Sequence, residues 1–146
     1  MSAYFDTSFL MPLVRREATS ERVTDFLGGL AGTPLSTSHW TRVELCSAIA
    51  RHVRMKVLRP AEAHTAMGNF QNGILQSFSL SAVTLHDWAT AVSYLQNFET
   101  GLRAGDALHL AIGRNNNAQA IYSLDDRMIR AGKLLGLPVS RGIRGK

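Results

Sequence analysis

The aromatic pair Tyr4-Phe5 runs into Asp6-Thr7-Ser8, and an apolar run, Phe9-Leu10-Met11, follows. This pattern predicts a short buried strand ending at Asp6 with a helix starting immediately behind it. Pro12 falls inside that helix, where it costs a hydrogen bond or bends the axis. Val23, Phe26 and Leu27 lie at helical spacing after a cap at Thr19 or Ser20, and Gly28-Gly29 stops this second helix. Residues 34–38 read as a short strand ending in a capping serine, and a long helix spans 38–57. Pro60 suits the first turn of a further helix over 61–75, weakened in its middle by Gly68, Asn69 and Gly73. Residues 79–83 form a third strand. Thr84 caps a helix over 85–97 whose apolar face carries Leu85, Trp88, Ala89, Val92 and Leu95. A helix of small and apolar residues over 102–112 stops at Asn115-Asn116-Asn117. A fourth strand covers 120–123, Asp125-Asp126 opens a helix running to Gly136, and Leu137-Pro138-Val139 reads as a last short strand.

Strands alternating with helices point to an α/β fold, a parallel sheet with helices on both faces. Neither repeat nor linker divides the chain, so residues 1–140 form one domain. Residues 141–146 form a basic, Gly-rich tail expected to be flexible.

Composition narrows the class. Hydrophobic residues make up 45% and charged residues 18%, which fits a globular protein and excludes a disordered one. No apolar run approaches the roughly 18 residues of a membrane span, and the N-terminus lacks the pattern of a secretion signal. Cys46 is the only cysteine, so no internal disulfide forms and the cytoplasm is the expected location. The formal charge is +5, from sixteen Lys and Arg against eleven Asp and Glu. A basic balance suggests a polyanionic partner. If four of the acids share one pocket, seven remain against sixteen bases elsewhere, and the rest of the surface is more basic than the total implies.

Those four acids are the chemical candidates. Asp6 stands at a strand end, where open α/β sheets collect ligands, and taken alone it is best read as a helix cap. Glu44 has Trp40 and Ala48 one helical turn to either side, which puts it on or beside an apolar stripe. A charge there needs a partner, either an arginine or a metal. Asp106 lies in an apolar helix, able to cap it or pair with Arg103. Asp125 repeats the position of Asp6 behind another strand, with Asp126 the better candidate for the exposed helix start. Together they make two acids at strand ends and two on packed helix faces, a set that suits Mg²⁺ or Mn²⁺. The chemistry that needs such a set is hydrolysis of a phosphodiester.

Tyr4-Phe5-Asp6-Thr7-Ser8, Glu44, Arg103-Ala104-Gly105-Asp106-Ala107-Leu108-His109-Leu110-Ala111 and Ser123-Leu124-Asp125 closely resemble the PIN-domain motifs. The likeness is to the VapC-type toxins of bacterial toxin–antitoxin pairs and covers essentially the whole chain. It implies a five-stranded parallel sheet and a ribonuclease that uses Mg²⁺ or Mn²⁺. It further implies a homodimer and a small DNA-binding antitoxin that blocks the site. Carried over by position, Asp6, Glu44, Asp106 and Asp125 are the catalytic and metal-binding set. Ser8 and Ser123 are hydroxyls near metal-bound water or substrate, and Arg103 lies at the rim. Gly105 departs from the family, which often has Thr or Ser there.

Other readings weigh less. The five histidines and Cys46 lack zinc-site spacing, and His109 is expected to pack or hydrogen-bond. Arg51, Arg54, Lys56 and Arg59 read as a solvated helix face before an RNA track. Phe70, Phe78, Trp88 and Phe98 fit core positions. An aspartyl-phosphate phosphatase would need a second acid where Ser8 stands, and no phosphate-binding loop of the Walker type is present. The alternatives kept are an RNA-processing PIN nuclease without a toxin role and an inactive RNA- or protein-binding module, the latter expected to have lost one of the four acids.

Overall fold

The computed structural model describes residues 2–144. Its centre is β1 (Ala3–Phe5), whose three residues are all buried. Strands β2 (Leu35–Ser38), β3 (Ser79–Ser81), β4 (Ala120–Tyr122) and β5 (Val139–Ser140) complete a sheet of order β3-β2-β1-β4-β5. Every pairing is parallel, with Tyr4 opposite Ser36 on one side and opposite Ile121 on the other. The chain moves outward from β1 through β2 to β3, then returns to β1's other edge as β4. The order therefore reverses between β1 and β4, and a crevice opens beyond their carboxyl ends.

The strand period of two splits the core. Ala3 and Phe5 face one hydrophobic cluster with Phe9, Leu10, Leu45, Ile49 and Phe70; Tyr4 faces the other with Leu108, Ile112, Ile121 and Met128. Helices α1 (Thr7–Val14), α2 (Ser20–Gly28), α3 (His39–Arg54) and α4 (Pro60–Asn69) bring residues to the first cluster. The second draws on α6 (Leu85–Leu95), α7 (Ala104–Asn115) and α8 (Asp126–Leu134). The expected five-stranded α/β architecture is what the chain forms. Among the described residues, no helix is long and apolar enough to cross a membrane.

Three local departures have physical causes. The helix weakened by Gly68, Asn69 and Gly73 ends at Asn69 and widens into a π-helical turn, Phe70–Ile74, before the short α5 (Leu75–Ser77). Both Phe70 and Ile74 are buried through that turn.

The second departure is α6. Thr84 and Asp87 form a reciprocal capping box, and Asp87 also accepts a bond from Asn115 Nδ2 at 2.8 Å. These contacts turn Asp87 and Ala91 inward. Leu85, Trp88 and Val92 are left half or more exposed, and so is Phe98 beyond the helix end. Trp88 and Phe98 are thus not core residues, whereas Phe70 and Phe78 are.

The third is the C-terminal segment. Ile143 is buried in the first core cluster, and Arg141 Nη1 donates to Leu124 O at 3.0 Å. Gly142 has φ of 75°, and a Cβ there would stand 2.9 Å from Phe26. Only glycine meets both demands. Residues 141–143 are therefore packed, with Ile143 as the apolar anchor, while Arg144 is exposed; residues 145–146 lie outside the described residues. Ile143→Ala should lower unfolding free energy by about 2 kcal/mol or more, read by denaturant titration. A freely moving tail would give no change.

Candidate functional site

Asp6 follows β1 directly and caps α1 itself, accepting from Phe9 N at 3.0 Å. Thr7 and Ser8 both lie inside the helix. Ser8 Oγ donates to Asp6 Oδ1 at 2.8 Å, and Ser123 Oγ donates to Oδ2 at 2.6 Å. The same hydroxyls accept from Leu124 N and Asp125 N, at 2.9 and 3.0 Å. Asp6 thus ties the ends of β1 and β4 together across the switch point. Burial pushes its carboxyl above the ordinary range, opposed by His109 and by the Ser123 and Ser8 bonds.

Asp125 caps α8, accepting from Arg127 N at 2.9 Å. Asp126, one residue on, is exposed and pairs with Arg141 at 3.1 Å. Two adjacent acids at one helix start are therefore separated by role, the first toward the cleft and the second at the surface.

Glu44, on α3, is tied through one oxygen. Thr7 Oγ1 donates to Oε1 at 2.7 Å, and His109 Nε2 bonds the same atom. The other ring nitrogen of His109 stands 2.8 Å from Tyr4 OH, which is 2.9 Å from Ser38 Oγ. Burial works against the Glu44 charge, but the His109 and Thr7 bonds outweigh it and hold this carboxyl below the usual range. Among the described residues, no arginine fills the partner role. Burial of Tyr4 raises its hydroxyl well above the ordinary range, so it stays protonated.

Asp106 is different. Its half-buried carboxylate receives no hydrogen bond, and no Lys or Arg pairs with it or with Asp6, Glu44 or Asp125 among the described residues. Burial first, then the charge of Asp125, raise its pKa to about 6; Asp6 and Glu44 add to the rise and His109 opposes it.

One cleft of about 740 Å³ is lined by all four acids together with Ser8, His109, Arg51 and Arg141. Arg103 is exposed at the start of α7 and lines a smaller recess with Asp106, Asp125 and Arg127. Ser123 is buried behind Asp6. Among the described residues, no three His, Cys, Asp or Glu side chains stand close enough to clasp one ion as they are placed. The donor set nonetheless suits a hard divalent cation: oxygen ligands without thiolate, and one carboxylate, Asp106, that lacks any partner. Such a cation would offset the burial and the repulsion that together raise the Asp106 pKa.

Two site features lay outside the sequence reading. The hydrogen-bond chain from Ser38 through Tyr4 and His109 to Glu44 joins residues far apart in sequence; only the single-turn spacing of Asp106 and His109 hinted at it. Arg141 comes from the supposed tail, and nothing in its local pattern pointed to the cleft.

The PIN-domain sequence pattern matches residues 3–134. No curated protein matches the sequence. Among solved structures, the fold is similar to the sarcin–ricin-loop-cleaving toxin VapC20 of Mycobacterium tuberculosis, with TM-score 0.71 and 19% identity over 90% of this chain and 95% of that one. It is similar to FitAcB of Neisseria gonorrhoeae, with TM-score 0.75 and 17% identity over 96% and 97% of the two chains. VapBC2 of Rickettsia felis, bound to a DNA fragment from its promoter, gives 0.73 and 12% over 96% and 98%. These identities speak for the fold alone, and the match of the sequence pattern across nearly the whole chain carries the conclusion: the chain belongs to the PIN-domain family.

Proposed function

We propose that the protein is an endoribonuclease dependent on Mg²⁺ or Mn²⁺, the toxin of a VapC-type toxin–antitoxin pair. The observation that carries the reading is Asp106, a half-buried carboxylate without a partner among the described residues, in a cleft it shares with Asp6, Glu44 and Asp125. Asp6, Glu44, Asp106 and Asp125 would hold the cation. When bound, it lowers the pKa of water and offsets charge on the phosphate oxygens. The reaction is hydrolysis at phosphorus, in which water adds and the P–O3′ bond breaks, leaving 5′-phosphate and 3′-hydroxyl ends.

The chain's own residues have separable tasks in this reading. Ser8 and Ser123 fix the Asp6 carboxylate by their hydroxyl protons. Arg51 and Arg141 line the same cleft as the acids and offer cations to RNA phosphates on either side of the scissile one. Arg103 does so from the rim, near Asp106 and Asp125. Apart from the four site acids, the chain carries seven acids against sixteen bases, a balance that favours a phosphate backbone as partner.

Two partners complete the proposal. The likeness to VapBC2, seen on promoter DNA, supports a small DNA-binding antitoxin. The exposed Leu85, Trp88 and Val92, at helical spacing on α6 with Phe98 beyond it, support a homodimer that covers this face. A cytoplasmic location is part of the same reading.

Purified protein with Mn²⁺ should cut RNA and sediment at twice the chain mass. Asp106→Asn should lower cleavage by at least about a hundredfold, with a melting temperature in Mn²⁺ equal to the parent's. In cells, induction should arrest growth, and the same substitution should abolish the arrest. Cleavage by the amide variant at the parent rate would overturn the site assignment.

The raised Asp106 pKa also fixes a sign. The folded protein holds this proton more tightly than the unfolded chain, whose aspartate titrates near pH 4. Without metal, the Asp106 contribution to stability is full below about pH 4 and is lost as pH rises through about 6. Asp6 acts in the same direction, and Glu44, whose pKa is lowered, acts in the opposite one at lower pH. Comparing parent with Asp106→Asn removes those contributions. In EDTA the variant should gain melting temperature relative to the parent between pH 4 and 7, and Mn²⁺ should close the gap. A constant difference across this range would contradict the origin assigned to the shift.

A further inference from the structure

Glu44 is held by two features to which no role has been given. The first is His109. It is buried, and its ring is fixed from behind by Tyr4 OH at 2.8 Å, itself 2.9 Å from Ser38 Oγ. Its Nε2 bonds Glu44 Oε1, the atom that also accepts from Thr7 Oγ1. The second is Gly105, one helical turn before His109 on α7 and so on the same helix face.

Gly105 is not among the residues of positive φ, so no turn or cap demands glycine there. Within a helix, glycine costs stability relative to alanine. What it provides is space. A Cβ at this position would lie 2.7 Å from Glu44 Oε2 and 3.4 Å from Trp40 Cζ2. The tryptophan contact is ordinary, whereas the carboxylate contact is not tolerable. The Trp40 indole donates to Gly105 O at 3.3 Å, which keeps this stretch of α7 against α3.

We infer that Gly105 and His109 are positioning residues for Glu44. His109 holds one carboxylate oxygen by a hydrogen bond, and Gly105 leaves the room that the other oxygen occupies. The Ser38–Tyr4–His109 chain anchors this placement in the second hydrophobic cluster, where Tyr4 is wholly buried. The carboxylate is oriented before any cation arrives, as the groups behind metal ligands commonly arrange. The consequence for metal binding rests on the proposed function; the placement itself does not.

Gly105→Ala is the sharpest test, because its only contact under 3.0 Å is with the end of a flexible side chain, so the fold should survive. Its melting temperature should equal or exceed the parent's. In the metal-free protein, the Glu44 carboxyl ¹³C resonance should move in Gly105→Ala and in His109→Leu, and His109→Gln, which restores a donor, should return most of the way. Mn²⁺ affinity by calorimetry should fall about tenfold in Gly105→Ala and in His109→Leu, with the double variant little worse than either alone. An unmoved Glu44 resonance in Gly105→Ala would overturn the inference. So would parent-like Mn²⁺ affinity in that variant, or losses that add fully in the double variant. A parent that binds no Mn²⁺ would instead sink the metal reading, while the resonance would still decide the placement.

Discussion

A carboxylate withdrawn from water must find a hydrogen bond for nearly every lone pair, and Asp6 does so at the one place where the sheet changes direction. It caps α1 through Phe9 N and takes hydroxyl protons from Ser8 and Ser123. The two serines bind Leu124 N and Asp125 N in turn. The ends of β1 and β4 and the starts of α1 and α8 are thereby tied through a single charge. Each bond to an ionised group is among the stronger kinds, and the loss of one would leave a buried charge short of partners. The cleft keeps its shape because this knot holds.

From that knot the acids grade outward in satisfaction. Asp6 accepts three hydrogen bonds, Glu44 is held through one oxygen by Thr7 and His109, Asp125 caps α8, and Asp106 has no partner among the described residues. Ordinary structural acids do not show this pattern, since each would have collected an arginine or a set of amides. The gradient converges on the Asp106 side of the cleft, where charge is least compensated. Around it the cations Arg51, Arg141, Arg103 and Arg127 stand back from the carboxylates without pairing with them. An arrangement of carboxylates within and guanidinium groups around is suited to a metal and a phosphate at once.

Sequence made the frame legible because it is written in local patterns. Tyr4-Phe5-Asp6, the capping Ser38 and Thr84, Pro60 at a helix start and the alternation of strands and helices each reported their own neighbourhood. The four acids stood out because two follow strands and two sit on apolar helix faces, and all four line one cleft. What stayed hidden depends on contacts between distant segments. The rotation of α6 is set by Asp87 meeting Asn115, which no periodicity of residues 85–97 contains. The packing of Gly142 and Ile143 depends on Phe26 and Tyr122. The Ser38–Tyr4–His109–Glu44 chain links two strands to two helices, and Gly105 is a mere absence of hydroxyl in the sequence, whereas in the fold Glu44 lies over it.

The proposed chemistry requires that these carboxylates gather around a divalent cation. Crystals soaked in Mn²⁺ and measured at the manganese edge test it most directly. The prediction is an anomalous peak inside the cleft, ligated by Asp106 with oxygens of Asp6 or Asp125, and lost in Asp106→Asn. A cleft without a peak at millimolar Mn²⁺, or a peak that persists unchanged in the amide variant, would contradict it.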